Sequence, residues 1–521
     1  MKLLAKLKPV VFLTLFFFLT STIAPWPAMA FHISPWDTGG QRASGSATPA
    51  AGPGANGGPE KQTPPANNPS CTGKPVYLHS GEEAYECVDL LIPGRGMDLE
   101  IKHLYRGGKQ YNGPFGFGWT LNHYYRLQTT SDGNVTIVSG DGRNDKYTFD
   151  SVTAAYLPPS GFFNILVQNT DGTWTLTEAD GKKINFDIQG RISSLVDRNG
   201  NRISFAYDPS GLSPVTGRPV FARTGSNPSP AVVAYDYQLT RITDTVGRGV
   251  NFTYNAKGLL AAITDYAGRN VIFTYDPLTN DLLSITRPAT AQYPLGVTKT
   301  FAYDAAHRIT NISDAKGQTF VTNSYDAQGR VIRQDLGAGS LLFNYGVNQT
   351  TVTDRKGFIT RYTFNTTGNV TLKEEFTAGV RTGDPGSFIT SYAYNADMLL
   401  TSVTYPRGNG VKYTYDTANA NRRARGNLLS IRRKAAMSAA DNNTADLVTT
   451  IIYEPNFNFP RTVTDPKGNV TRFTYDYELA TTDPRYAVNG NLVKAAYPAV
   501  GGVSPEINVT YNASGQPVQV A

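Results

Sequence analysis

The residues with chemistry to offer are aspartates, and they recur at fixed spacing. Asp197, Asp244, Asp265, Asp314, Asp354 and Asp465 each stand three residues before a glycine: Gly200, Gly247, Gly268, Gly317, Gly357 and Gly468. A row of carboxylates could bind calcium. That ion gathers roughly six to eight oxygens at one point, and one Asp per turn with no Asp-x-Asp-x-Asp cluster supplies too few. The same pair has a structural use. An Asp carboxylate accepts backbone N–H groups of a tight turn, and Gly three residues on takes the positive φ that a Cβ penalises. The spacing therefore predicts turns.

Other reactive groups form no constellation. Asp37-Thr38-Gly39 matches the short aspartic-protease triplet, but a proton-sharing dyad needs a second copy and none is present. There is no Gly-x-Ser-x-Gly, no His-Glu-x-x-His and no phosphate loop. His32, His79, His103, His123 and His307 are scattered, so they define no metal site. Cys71 and Cys87, 16 residues apart, read as a disulfide in an exported chain. Closing that loop contributes about 3 kcal/mol in the entropic treatment. The sequence predicts no enzyme, no metal and no cofactor.

The elements that position the aspartates repeat with them. Each Asp-x-x-Gly is followed by alternating residues and then an aromatic: Tyr207, Tyr254, Tyr275, Tyr325, Phe364 or Tyr475, with Asp or Asn next. A degenerate copy, Tyr405-Pro-Arg-Gly408, leads to Tyr415-Asp416. Between Gly200 and Asp208, Ile203, Phe205 and Tyr207 alternate with small or polar residues, the period-two pattern of a half-buried strand. A second turn, such as Asn255-Ala-Lys-Gly258, and a return strand deliver the next Asp. The cleanest unit, Asp244 to Asp265, is 21 residues long, two strands of about 23 Å. The expected fold is all-β, a continuous array of antiparallel hairpins.

Composition agrees. The 521 residues include 50 Gly and 30 Tyr, and only 17% are charged. One stretch, Lys434 to Leu447, is Ala-rich and is the single candidate for a helix. Residues 1–30 read as a signal peptide: Lys2, Lys6 and Lys8, an apolar run from Val10 to Leu19, then Ala28-Met29-Ala30. The apolar run is short for a membrane span, so no stable span is expected after cleavage. Without those three lysines the net charge falls from +7 to +4. The densest basic stretch is Arg422, Arg423, Arg425, Arg432, Arg433 and Lys434. It lacks aromatic interleaving, so no nucleic-acid partner is expected. Residues 31–67 are Gly, Pro and Ala-rich and read as a flexible tether. Residues 68–130 form a lead-in segment containing both cysteines and Gly113-Pro-Phe-Gly-Phe-Gly-Trp119. The array fills 131–521, with insertions near 209–235 and 417–447.

The phrase Asp-x-x-Gly, strand, Tyr-Asp, Gly-Arg resembles the YD repeat of bacterial Rhs proteins, insecticidal toxin-complex subunits and teneurins. Asp187-Ile-Gln-Gly190-Arg191 and Asp326-Ala-Gln-Gly329-Arg330 carry its Gly-Arg ending. Leu91-Ile-Pro-Gly94-Arg-Gly96 and Gly113 to Trp119 resemble the segment that precedes the repeats in Rhs proteins. The resemblance covers roughly 68–521 and implies a spiral sheet wound as a partial, open shell. In that family many members enclose a C-terminal toxin released by self-cleavage. No such core segment or toxin is found here, so neither activity is carried over. The chain stops at Ala521 inside a repeat. A downstream Rhs-type chain that completes the shell is therefore one expected partner, and an enclosed toxin cargo another.

Three functions follow from these readings. The first is an exported, non-enzymatic scaffold for cargo or toxin encapsulation or intercellular competition, located outside the cell, in the periplasm or at the surface. The second is a cell-surface module that stacks exposed Tyr and Trp119 on a glycan. The third is a truncated remnant of a larger Rhs toxin.

Overall fold

The computed structural model describes residues 76–108, 112–208, 238–377, 381–499 and 501–521. The 209–235 insertion, Cys71, Asp37, the signal peptide and the tether lie outside the described residues. Two sheets carry the architecture, and a short hairpin, β3 (Asn112–Gly113) with β4 (Gly116–Phe117), lies between the second and third strands of the smaller one. The small sheet is β1 (Ala84–Ile92), β2 (Leu99–Arg106) and β5 (Trp119–Leu121), antiparallel in the order β1-β2-β5. The large sheet has 32 strands, from β6 (Arg126–Thr129) to β37 (Pro517–Val520), each paired antiparallel with its neighbour in sequence. Among the described residues there is no α-helix and none long and apolar enough to cross a membrane.

One irregularity recurs at the same phase of nearly every unit. The ladder slips by a residue just before the aromatic: between Thr253 and Tyr254, Thr274 and Tyr275, Ala302 and Tyr303, Ser324 and Tyr325, Thr414 and Tyr415, and Thr474 and Tyr475. A β-bulge bends its strand and increases local twist. Placed once per hairpin, it curls the ribbon always in one sense, so the sheet winds into a spiral. The bulge also explains the return strands. Leu260 and Ile263 are three residues apart, yet both are fully buried, because Leu260 faces Tyr254 and Ile263 faces Phe252 across the slip.

The spiral is open. Among the described residues β6 and β37 form no ladder with each other; near its start the ribbon meets itself through the Arg126–Arg191 bridge and the Leu127 N–H to Gly190 carbonyl bond of 2.7 Å. Later turns run along the edges of earlier ones in the same order. Asn458 Nδ2 donates to the Ala179 carbonyl (2.7 Å), Asn199 Nδ2 to Asn491 Oδ1 (3.1 Å), and Asn201 Nδ2 to the Ser514 carbonyl (2.9 Å). Successive layers therefore stack.

The small sheet fills the early part of the spiral. Trp119 is fully buried, edge-on to Phe301 at 5.0 Å, and its Nε1 donates to the Tyr303 hydroxyl at 2.9 Å. Tyr105 donates to the His307 carbonyl and accepts from Ile309 N–H. Trp119 is thus a core residue and not a glycan-stacking one, which corrects that part of the sequence reading. The Gly113 to Trp119 stretch forms short strands, with Gly116 opening β4 and Gly118 linking it to β5, both at positive φ. A Cβ on Gly118 would come within 2.8 Å of the Tyr105 ring.

The Lys434 to Leu447 stretch forms no helix. Lys434 ends β31 (Leu428–Lys434), and the chain loops to β32 (Leu447–Tyr453). The Lys434 ammonium is buried and bonded to Asp441 (3.0 Å) and Asp446 (3.1 Å). That ion pair holds the connection as a loop, overriding the helix propensity of its alanines.

Candidate functional site

The repeated site is a latch of three side chains. In the Asp244 turn, Asp244 Oδ1 accepts Val246 N–H (3.0 Å) and Arg248 N–H (2.8 Å), and Oδ2 accepts Arg248 Nε (2.6 Å). Gly247 N–H donates back to the Asp244 carbonyl, and Gly247 sits at φ 89°. The carboxylate therefore satisfies two turn donors and one guanidinium at once. Asp265 repeats the set with Ala267 N–H and Arg269. Burial would raise the Asp265 carboxyl, but the Arg269 backbone and side-chain bonds outweigh it and hold it below the ordinary value.

The other predicted aspartates vary the theme according to the residue four places on. Asp197 takes Asn199 and Asn201 N–H plus Asn201 Nδ2, and Asp465 takes Lys467 and Asn469 N–H plus Asn469 Nδ2. Asp314 and Asp354 hold two backbone donors each, with Gln318 and Phe358 in the arginine's place. Gly200, Gly268, Gly317, Gly357 and Gly468 all have positive φ.

The aromatic end closes the unit. Tyr207 donates to the Ile192 carbonyl (2.9 Å), Tyr254 to Leu239 (2.9 Å), Tyr415 to Leu400 (2.9 Å) and Tyr475 to Pro460 (2.7 Å). Each hydroxyl thus reaches 15 residues back to the head of the preceding return strand. The Tyr325 hydroxyl lies between the Ile309 carbonyl, 16 residues back (2.6 Å), and Glu83 of the small sheet (2.7 Å), and its single proton is shared between the two acceptors. Phe364 has no hydroxyl and is buried edge-on to His79. The buried Tyr275 hydroxyl finds no partner among the described residues. Burial raises the Tyr207, Tyr254-facing Tyr275 and Tyr325 phenols well above their ordinary values.

Sequence reasoning did not find Arg248, Arg269 or Arg308 as latch members, although each stands four residues after its turn carboxylate. Arg308 binds Asp304 and also lies 4.6 Å over the Tyr325 ring, as Arg330 does over Tyr345 and Arg191 over Tyr207. Cation, turn carboxylate and the next aromatic form one chain of contacts. Also unforeseen is a pair buried inside the small sheet, His103 Nδ1 on Asp89, with Arg106 on Glu82 nearby. Among the described residues no three His, Cys, Asp or Glu side chains gather to hold a metal. Cys87 is buried on β1.

An antiparallel spiral of hairpins, most of them latched by a turn Asp, a positive-φ Gly and a Tyr hydroxyl, defines a class: all-β repeat proteins. Residues 254–292 and 303–341 match the family described as RHS Repeat, and 73–147 match a domain of unknown function, DUF6531. The resemblance to the Rhs/YD repeat read from the sequence is thus borne out over the first two of these stretches. Similar solved structures include TcdB2-TccC3-Cdc42, at 14% identity and TM-score 0.40, over 84% of this chain and 20% of that one. The Photorhabdus luminescens Tc holotoxin pore follows at 11% and 0.38, over 84% and 26%. A porin-like protein from Bacteroides uniformis matches at 15% and 0.19, over 40% and 87%. These superpositions are loose, and the chain spans about a fifth to a quarter of the length of the first two. Among curated proteins, none matches the chain.

Proposed function

We propose that the chain is an exported, non-enzymatic scaffold, one section of a β-shell whose inner face surrounds a polypeptide cargo. The observation that carries this reading is the change along the inner wall. Against the small sheet, inward residues such as Ile263, Ile285 and Ile312 are buried. Further along, β26 (Ile359–Phe364), β27 (Val370–Phe376) and β28 (Ser387–Tyr394) turn Tyr362, Lys373, Glu375 and Tyr392 to the same face. There Tyr362, Lys373 and Tyr392 are half-buried and Glu375 is exposed. Lys373 pairs with Glu375 at 2.9 Å. A wetted wall of tyrosines and paired charges suits contact with a chain that has no fixed shape.

In this reading residues 1–30 direct export, 31–67 tether, and 68–130 lead in with Cys71 bonded to Cys87. A further Rhs-type chain extends the wall. The test is to purify the exported chain after co-expression with the products of its neighbouring genes. A co-purifying polypeptide that resists protease until the spiral is denatured supports the reading. A chain that purifies alone and protects nothing refutes it.

A further inference from the structure

The basic stretch around Arg423 is not used by the shell reading, and the structure gives it a setting. Ile165, Thr177 and Lys183 form one cross-strand row on β10 (Ile165–Gln168), β11 (Trp174–Thr177) and β12 (Lys183–Phe186). Their neighbours Leu166, Leu176 and Ile184 are the buried ones, so the row lies on the opposite, outer face. The next layer of the spiral brings Arg423, Asn456 and Phe457 over this row, enclosing a groove of about 450 Å³ that also touches Gly181.

The far wall is rigid. The Glu454 carboxylate accepts Asn456 N–H (2.8 Å), Phe457 N–H (2.9 Å) and Phe459 N–H (2.8 Å), and also the Tyr477 hydroxyl. Its charge is spent inside the turn. Arg423 Nη2 donates to the Asn456 carbonyl at 2.9 Å, which fixes the guanidinium, and its Nη1 lies about 4.0 Å from where a Gly181 Cβ would stand. Phe457 is wedged beside Gly181 and Gly490, where a Cβ would strike its ring. Among the described residues no carboxylate forms an ion pair with Lys183 or Arg423. The turn carboxylate of Asp180 accepts Lys182 N–H. Beside Arg423, burial first and then Arg425 hold Arg422 below its usual value, with Asp397 opposing.

We propose that this groove binds an acidic saccharide, its carboxylate or sulfate held between Lys183 and Arg423 and its ring set against Phe457 and Ile165. Two cations facing across an open groove call for an anion. The Thr177 hydroxyl and Asn456 amide offer neutral donors and acceptors for ring hydroxyls, and an apolar wall with few convergent polar groups is the usual make-up of a small-molecule site. The site is independent of the shell reading, since a spiral that encloses nothing would still carry it.

The test is calorimetric titration of the full chain with galacturonic-acid trisaccharide, the matching neutral galactose trisaccharide, and inorganic sulfate. The acidic sugar is expected to bind at least about tenfold more tightly than either of the others, a step of about 1.4 kcal/mol. Lys183→Ala and Arg423→Ala are each expected to weaken it about fivefold or more, with melting unchanged for Lys183→Ala, whose side chain braces nothing. Equal binding of the acidic and neutral sugars, sulfate binding as tightly as the acidic sugar, or Lys183→Ala binding like the parent chain would each overturn the proposal. Absence of any binding would overturn it too.

Discussion

Removing the Asp244 carboxylate measures what one latch is worth. Asp244 has no exposed side-chain surface and serves Val246 N–H, Arg248 N–H and Arg248 Nε. In Asp244→Ala two turn donors lose their acceptor at about 1 kcal/mol each, and a charge-assisted bond worth about 1.5–3 kcal/mol disappears. The expected loss is about 3–5 kcal/mol. Asp314→Ala is the internal control. Asp314 holds two backbone donors and no arginine, and those donors lie in an exposed turn where water replaces the carboxylate. Its loss should be about 1 kcal/mol. Asp244→Asn should fall between, because the chain itself places Asn255 in this role without an arginine. Guanidinium unfolding followed by far-UV circular dichroism gives the energies. Hydrogen exchange at Val246 and Arg248 locates the loosened turn. If Asp244→Ala and Asp314→Ala cost the same, the latch argument is wrong.

Three further outcomes are expected. Tyr254→Phe removes one neutral bond and should cost about 1 kcal/mol, whereas Tyr325→Phe also strips a donor from buried Glu83 and should cost about 2–3 kcal/mol; equal costs in denaturant titrations would exclude a role for Glu83. Gly268→Ala meets open space and pays only the positive-φ strain, about 1 kcal/mol, but an added Cβ on Gly190 runs into the Leu127 carbonyl oxygen and should lower the melting temperature much further. The third concerns pH. Burial, then Asp180, pushes the Glu178 carboxyl from 4.5 up to about 8, and burial lowers His123 from 6.5 to about 4. The raised Glu178 value means stability is full below pH 4.5 and is lost as pH climbs to about 8; the depressed His123 value means stability is full above pH 6.5 and is lost as pH falls to about 4. Glu178→Gln should therefore stabilise the chain at pH 8 relative to the parent by up to about 4 kcal/mol, and parallel stability curves for the two proteins would exclude that assignment.

The hairpin array was legible because turn chemistry and period-two alternation are both local. Ile203, Phe205 and Tyr207 announce a strand whatever lies beyond it. The return strands were harder to read. Leu260-Ala-Ala-Ile263 and Leu282 with Ile285 have the three-residue spacing of a helix face, and only the bulge opposite them turns that spacing inward. A bulge is a property of two paired strands, so neither strand shows it alone. The place of Trp119 was illegible for a similar reason: its partners Phe301 and Tyr303 lie far along the chain. The loop after Lys434 depended on Asp441 and Asp446, whose carboxylates meet the ammonium only once β31 and β32 pair. The groove between layers required two segments that sequence distance keeps apart.

The small sheet has a consequence for how the molecule is made. Its strands are synthesised before any hairpin that surrounds them, and its aromatic side chains wait for partners translated later. Each new hairpin then needs only the one before it and the surface already laid down, so loops to be closed stay short and assembly can proceed from the amino end as the chain emerges. A mandrel formed first, with the ribbon wound onto it, avoids threading a finished sheet into a finished tube.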